Sequence, residues 1–372
     1  LRQAQDIASP LQGEGTKAKS MQALVYHGNK DLRLEDIPEP QPKPGEVKLR
    51  ITYTGICATD IEEWQFGPMW VQTGKPNAIT GRMAPLVLGH ETTGHVVAVG
   101  QGVAGVRVGQ RVAVNDVITC GKCHWCQSGR QAVCPAMGIA GLSGDGGLAE
   151  FMAWPASHVV PLPDSVSDEE AALCETTMVA VHAARRSSVK VGDNVAVIGC
   201  GTVGLLTIQA FRAAGARVIA LDVREMSLGM AKRLGADETL NSAAPDVEKR
   251  LLDLTGGIGP DIAVETAGAA ETPKMAVRWV KRGGTVVLVG IYSAKPQFDF
   301  NDIVGLEKTV IGSVAASPGD LATAVRLIGE GKIRVKDLVS AKVPLSRALE
   351  DGFNRMLAPK KDFFKILITP GG

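Results

Sequence analysis

The chain has 372 residues, 45% of them hydrophobic and 21% charged, with a formal net charge of +1. That length exceeds what a single core usually serves, so two domains are expected. The near-neutral balance excludes a nucleic-acid or membrane-surface partner held by bulk charge, and no apolar run reaches the ~20 residues of a membrane span.

Residues 1–20 are polar, carry no clear period and precede Met21, so they read as a disordered extension or leader outside the fold. No charged-then-apolar signal segment opens the chain, which points to a soluble cytoplasmic protein. From Met21 the pattern is that of strands: MQALVYH, then DLRLEDIPEPQPKPGEVKLRITYTGIC, whose proline cluster marks a loop between two strands. Short strands follow at 94–99, 112–114 and 148–153, giving a β-rich region over 21–177.

The pattern changes after Ser167. Residues 168–186 read as helical, and from Asn194 strands alternate with helices, with Val195, Val218, Ile262, Thr285 and Val310 in the apolar strands. This alternation over 178–316 predicts a doubly wound parallel sheet. An amphipathic segment at 320–330 and a closing strand at 364–368 look unlike further units of that kind, and are expected to return, over 317–372, to the first domain.

Residues 194–222, NVAVIGCGTVGLLTIQAFRAAGARVIALD, state a complete strand, turn, helix and strand. Gly199-Cys200-Gly201-Thr202-Val203-Gly204 is a G-x-G-x-x-G loop directly after an apolar strand, the pattern that binds a dinucleotide pyrophosphate. Gly199 makes the tight turn, Gly201 lets backbone approach the pyrophosphate, and Gly204 lets helix and strand close up. Thr202 and Val203 complete the candidate cofactor loop. Asp222 ends the second strand, where a carboxylate bonds a ribose diol and repels a 2′-phosphate, which predicts NAD rather than NADP. Arg224 has two readings, a stack on adenine or a solvated surface charge.

Cys120, Cys123, Cys126 and Cys134 form a C-x2-C-x2-C-x7-C run. Four thiolates on one loop suit a closed tetrahedral zinc site of structural type. The rivals are an iron–sulfur cluster, since Pro135 follows the last cysteine, and unliganded thiols. A second, dispersed set comprises Cys57-Ala58-Thr59-Asp60, Gly89-His90-Glu91 and Cys174-Glu175. One thiolate, one imidazole and a carboxylate make the three-ligand set that leaves a zinc position open for an alcohol oxygen.

GICATD, GHE, CGKCHWCQSGRQAVC and VAVIGCGTVG, in this order, resemble the zinc-dependent medium-chain dehydrogenase/reductase superfamily. The likeness spans residues 21–370. It implies a GroES-like catalytic domain, a Rossmann cofactor domain and an active cleft between them. It also implies that Cys57 and His90 are catalytic zinc ligands, that Asp60 orients His90, and that Glu91 contacts the metal or exchanges on and off it. For the third ligand, CETTMVAVHA aligns Glu175 with the glutamate of the polyol and butanediol branch, with Cys174 as the alternative. The insert at 64–85 resembles that of (R,R)-2,3-butanediol dehydrogenases. Its Trp64, Phe66, Met69 and Trp70 either line the substrate cleft or pack the loop.

The implied activity is reversible NAD-linked oxidation of a secondary alcohol, a vicinal diol or polyol, with two Zn²⁺ per chain, one catalytic and one structural. Thr59 would relay the alcohol proton; Glu62 stands where many relatives place a histidine, so either Glu62 or water carries the proton onward. A sorbitol- or threonine-type dehydrogenase is the alternative, and a non-catalytic dinucleotide-binding relative a remote one. The likeness to the polyol branch implies a homotetramer.

Overall fold

The computed structural model describes residues 19–292, 295–358 and 362–371. The first strand, Ser20–Gly28, begins on the last residue of the segment read as a leader; residues 1–18 lie outside the described part. It pairs antiparallel with Asp31–Pro38 and with Leu86–Val87.

A seven-stranded sheet forms most of the rest of the β-rich region, beside a two-stranded ribbon of Val117–Ile118 and Gly138–Ile139. Its order runs Val159–Pro161, Arg111–Val114, Glu91–Val99, Glu46–Gly55, Lys365–Thr369 and Val339–Pro344, with Phe151–Pro155 also paired to Glu46–Gly55. Apolar side chains of Glu46–Gly55 and its neighbours, Val47, Leu49, Val96 and Met152 among them, fill the core on one side. The last two strands come from the C-terminal segment. Leu367 and Ile368 pair with Gly55 and Thr54, so the expected return of the chain is built into the ladder.

The second sheet is six-stranded and all parallel, in the order Glu238–Asn241, Arg217–Asp222, Asn194–Ile198, Ile262–Glu265, Thr285–Leu288, Thr309–Gly312. Helices cover both faces, so Val195, Ala196, Val197 and Ile198 are all buried and the strand reads as a continuous apolar run. The order in which strands are added reverses at Asn194–Ile198, whose neighbours are Arg217–Asp222 and Ile262–Glu265. In an open α/β sheet a ligand crevice forms at that switch point, outside the carboxyl ends of the strands.

The expected helix at 168–186 is two: Asp168–Ala171, capped by Ser167 and Glu170 in a capping box, and Cys174–Ser187. The second runs unbroken across residues 177 and 178, where the sequence reading sets a domain boundary. It packs between Thr202–Ala213 and Asp320–Gly329. Among the described residues no helix is long and apolar enough to cross a membrane.

Candidate active site

The helix Ala58–Phe66 sets one wall of the site. Cys57 is its N-cap: the Asp60 carboxylate accepts from the Cys57 backbone N–H at 3.0 Å, and the Cys57 sulfur faces the Asp60 backbone N–H. One turn apart on the open face stand Thr59 and Glu62, while Asp60 and Glu63 are buried. The second oxygen of Asp60 faces His90 Nδ1 at 3.5 Å. That contact leaves Nε2 as the ring nitrogen available to a metal.

Cys57, His90 and Glu91 bring one ligand atom each to within 4.8 Å of one another. Burial disfavours protonated His90, yet the charges of Asp60 and Cys57 outweigh it and raise the imidazole pKa well above its usual value. Thr59 Oγ1 lies 3.6 Å from the Cys57 sulfur. Both Glu91 oxygens are held by Lys365 Nζ, a residue the sequence reading missed.

These groups open into a cavity of about 280 Å³ that Thr59, Glu62, Trp70, His90, Glu175 and Val203 line together. Glu175 lines the same cavity as the first two candidate ligands, though Glu91 rather than Glu175 is the carboxylate grouped with them within 4.8 Å. Cys174 does not line that cavity: it is buried in the core, its thiol directed 3.9 Å from the Glu170 carbonyl. Of the insert aromatics, Trp70 lines the cavity, whereas Trp64 packs edge-on against Phe353 at 5.8 Å and Phe66 and Met69 are exposed.

Asp116, also unforeseen, joins the cavity wall with one carboxylate oxygen unpartnered. Desolvation, above all, pushes Asp116 up to about 6 and Glu175 up to about 8, with neighbouring carboxylates adding to the shift of Glu175. Asp60, Glu91, Asp116 and Glu175 are buried acids in one place, and Cys57 adds a thiol, against the ammonium of Lys365 and the imidazole of His90. A donor set so rich in acid, in a low-dielectric pocket, is suited to a divalent cation.

The other cysteine set closes on itself. The Cys120–Cys126, Cys123–Cys126, Cys123–Cys134 and Cys134–Cys120 sulfur separations are 3.9, 3.5, 3.9 and 3.6 Å. A tetrahedron with Zn–S bonds of ~2.3 Å has edges of about 3.8 Å. The spacing fits one zinc ion, and it is too tight for thiolates on the outer corners of a cubic iron–sulfur cluster. Backbone N–H groups of Lys122 and Cys123 pull Cys120 down to about 6, while Cys123, crowded by the other thiols, is pushed up to about 11.

Across the cavity lies the glycine loop. Gly199 has φ 98°, and a Cβ on Gly204 would collide with the Gly199 carbonyl, while one on Gly201 would meet nothing within 4 Å. Open space over Gly201 at the start of the helix Thr202–Ala213 is what a pyrophosphate needs. Thr202 uses its hydroxyl to donate to the Phe364 carbonyl at 2.6 Å, which ties the loop to the C-terminal segment. Asp222 accepts from the Cys200 N–H at 2.7 Å and from the Arg224 N–H at 2.8 Å. The Arg224 guanidinium folds back on Asp222 with Nε at 3.3 Å.

Residues 43–164 match the alcohol dehydrogenase GroES-like domain and residues 202–330 the zinc-binding dehydrogenase domain. The chain is 36% identical to the (R,R)-butanediol dehydrogenase of Bacillus subtilis, over 94% of this chain and 100% of that protein. It belongs to the zinc-binding alcohol dehydrogenase family. A probable D-xylulose reductase A of Neosartorya fischeri is 34% identical over 91% of this chain and 94% of its own length. The crystal structure of the B. subtilis 2R,3R-butanediol dehydrogenase superimposes with a TM-score of 0.88 at 35% identity, covering 95% of this chain and all of that one. As a member of the family the chain is an oxidoreductase acting on alcohols, with a dinucleotide cofactor and zinc.

Proposed function

We propose that this dehydrogenase couples NAD to the reversible oxidation of a vicinal diol such as 2,3-butanediol, using a catalytic zinc held by Cys57, His90 and Glu175 and a structural zinc held by Cys120, Cys123, Cys126 and Cys134. The observation that carries the reading is one cavity shared by Cys57, His90 and Glu175 on one side and Val203 of the dinucleotide loop on the other. Asp222 at the end of Arg217–Asp222 supports NAD over its phosphorylated form. A polyol of the sorbitol or xylitol type is the second reading, favoured by the likeness to the D-xylulose reductase.

When bound, the catalytic zinc supplies a Lewis acid that makes the alcohol proton easier to lose. The chain's own residues do the rest. Asp60 fixes the ring of His90, and Lys365 holds the charge of Glu91 beside it. Thr59 accepts the alcohol proton and passes it along the helix face to Glu62 or to water. Trp70, Leu142 and Val289 form an apolar wall that excludes water around the substrate.

Seven unpaired cysteines fit a reducing, cytoplasmic setting. A homotetramer is the proposed assembly; Thr309–Gly312 is the outer strand of its sheet, as an interface between copies would have it.

Paired variants test the ligand set. Glu175→Ala should lose one zinc per chain and turnover, and Cys174→Ala should keep both; the reverse pattern would reassign the third ligand to Cys174.

A further inference from the structure

Glu265 ends the strand Ile262–Glu265 at the switch-point crevice and is fully buried. One of its carboxylate oxygens, Oε1, accepts from the Ala267 N–H at 2.7 Å, the Gly268 N–H at 2.9 Å and the Thr272 hydroxyl at 2.7 Å. The other, Oε2, accepts from the Tyr292 hydroxyl, and the phenol pKa is raised by desolvation and by this carboxylate. The backbone carbonyl of Glu265 takes the Val289 and Gly290 N–H groups at 2.9 and 3.2 Å. Among the described residues its hydrogen-bond partners are all uncharged.

A buried carboxylate is costly unless its lone pairs are filled, and hydrogen bonds to a charged acceptor are about twice as strong as neutral ones. Here the four donors to the carboxylate come from two separate stretches of chain: Ala267, Gly268 and Thr272, the last opening the helix Thr272–Trp279, and Tyr292. Thr266-Ala267 and Val289-Gly290-Ile291 both line the cavity that Cys57 and His90 also line. Glu265 splices them: Oε1 gathers the first loop, Oε2 and the main chain gather the second. A Cβ at Gly290 would meet Glu265 Oε2 at 2.5 Å, so the second loop rests directly on the carboxylate.

We infer that Glu265 is a positioning residue for the nicotinamide half of the cofactor, fixing the spacing of the two loops on which that half would lie. The inference rests on the dinucleotide reading. It separates the two ends of the cofactor, since the adenosine end is served by Asp222 on the other side of Asn194–Ile198.

The test is a fluorescence titration of the zinc-loaded, full-length protein with NADH, paired with calorimetric titration of AMP, which carries only the adenosine half. Glu265→Ala should weaken NADH binding about tenfold or more, the loss of at least one charged hydrogen bond. AMP binding should stay unchanged. Glu265→Gln, which keeps an acceptor for the first loop, should recover most of the NADH affinity, and Tyr292→Phe should weaken NADH binding by a smaller factor.

Unchanged NADH affinity in Glu265→Ala would overturn the inference, and so would equal losses for NADH and AMP, the mark of general loosening. If Glu265→Ala does not fold, Tyr292→Phe decides, and unchanged NADH affinity there contradicts the proposal. Wild-type protein that binds neither NADH nor AMP would instead sink the dinucleotide reading itself.

Discussion

Lys365 Nζ lies 2.5 Å from both carboxylate oxygens of Glu91, and the two buried residues join the C-terminal strand to the wall of the catalytic cavity. Lys365 also donates to the Ile56 carbonyl at 3.3 Å, one residue before Cys57. The pair therefore fastens together three pieces of chain that meet at the proposed metal site. It also gives Glu91, which the sequence suggests as a metal contact, a competing partner of opposite charge.

Removing one member of a buried ion pair leaves an uncompensated charge and costs about 3–5 kcal/mol. Lys365→Met should show that loss in urea unfolding of the metal-loaded protein. The double variant Lys365→Met, Glu91→Leu should recover most of it, because both charges are then gone. A single variant as stable as wild type would mean that the pair contributes nothing to the fold.

Metal content separates the two cysteine sets. Cys57→Ala and His90→Ala should each lose one zinc per chain and all turnover while retaining NADH binding and the second zinc. Asp60→Asn should keep the fold and weaken the proposed catalytic metal about 10–100-fold, the cost of losing the carboxylate that contacts the His90 ring. Near-normal turnover with full metal content in either ligand variant would refute the assignment.

Asp222 is expected to set cofactor choice. Asp222→Ser removes the negative charge that repels a 2′-phosphate, so the ratio of kcat/KM for NAD over NADP should fall by about tenfold or more, the worth of one charged contact. The same change frees the Cys200 N–H and the Arg224 guanidinium, so NADP binding gains a cation where NAD binding loses an acceptor. An unaltered ratio would move the determinant to another residue.

Acid stability depends in part on Asp168, which docks the short helix Asp168–Ala171 on the sheet through Arg111 at 2.7 Å and His95 at 2.8 Å. Desolvation works against its ionised form, but Arg111 and His95 outweigh it and the pKa lies below the usual carboxylate value. A lowered folded pKa stabilises above the unfolded value, near pH 4, and that contribution fades as pH falls through the folded value. Asp168→Asn should lose about 1–3 kcal/mol at neutral pH and show a smaller further loss on acidification than wild type. Parallel stability curves for the two proteins between neutral pH and pH 3 would contradict this.

The cofactor loop was legible because its signal is local: Gly199, Gly201 and Gly204 each answer a backbone demand within six residues, directly after an apolar strand. The clustering of the cysteine run was legible for the same reason, as four candidate ligands on one loop need no tertiary contact to be recognised. Asp116, Lys365 and Glu265 were not. Lys365 acts across the fold on Glu91 and Glu265 on Tyr292, Asp116 reaches the cavity only through the folding of distant segments together, and no spacing in the chain announces such meetings. The insert aromatics divided on packing: Trp64 lies on the buried face of its helix against Phe353, while Trp70, beyond the helix, lines the cavity. The buried Glu63 carboxylate accepts the Trp70 N–H at 2.7 Å and the Met69 N–H at 3.1 Å, an anchor that sequence periodicity cannot show. The break between the helices Asp168–Ala171 and Cys174–Ser187 has no proline or glycine to mark it; Leu173 simply leaves helical geometry, with ψ near 1°.

The most direct test of the account is the initial rate of NAD reduction with the 2,3-butanediol stereoisomers, measured on native protein, after removal of metal by a chelator, and after zinc is returned. The account predicts turnover of one vicinal diol, its loss on chelation and its recovery with zinc. Full turnover in protein shown to have lost its catalytic zinc would contradict it.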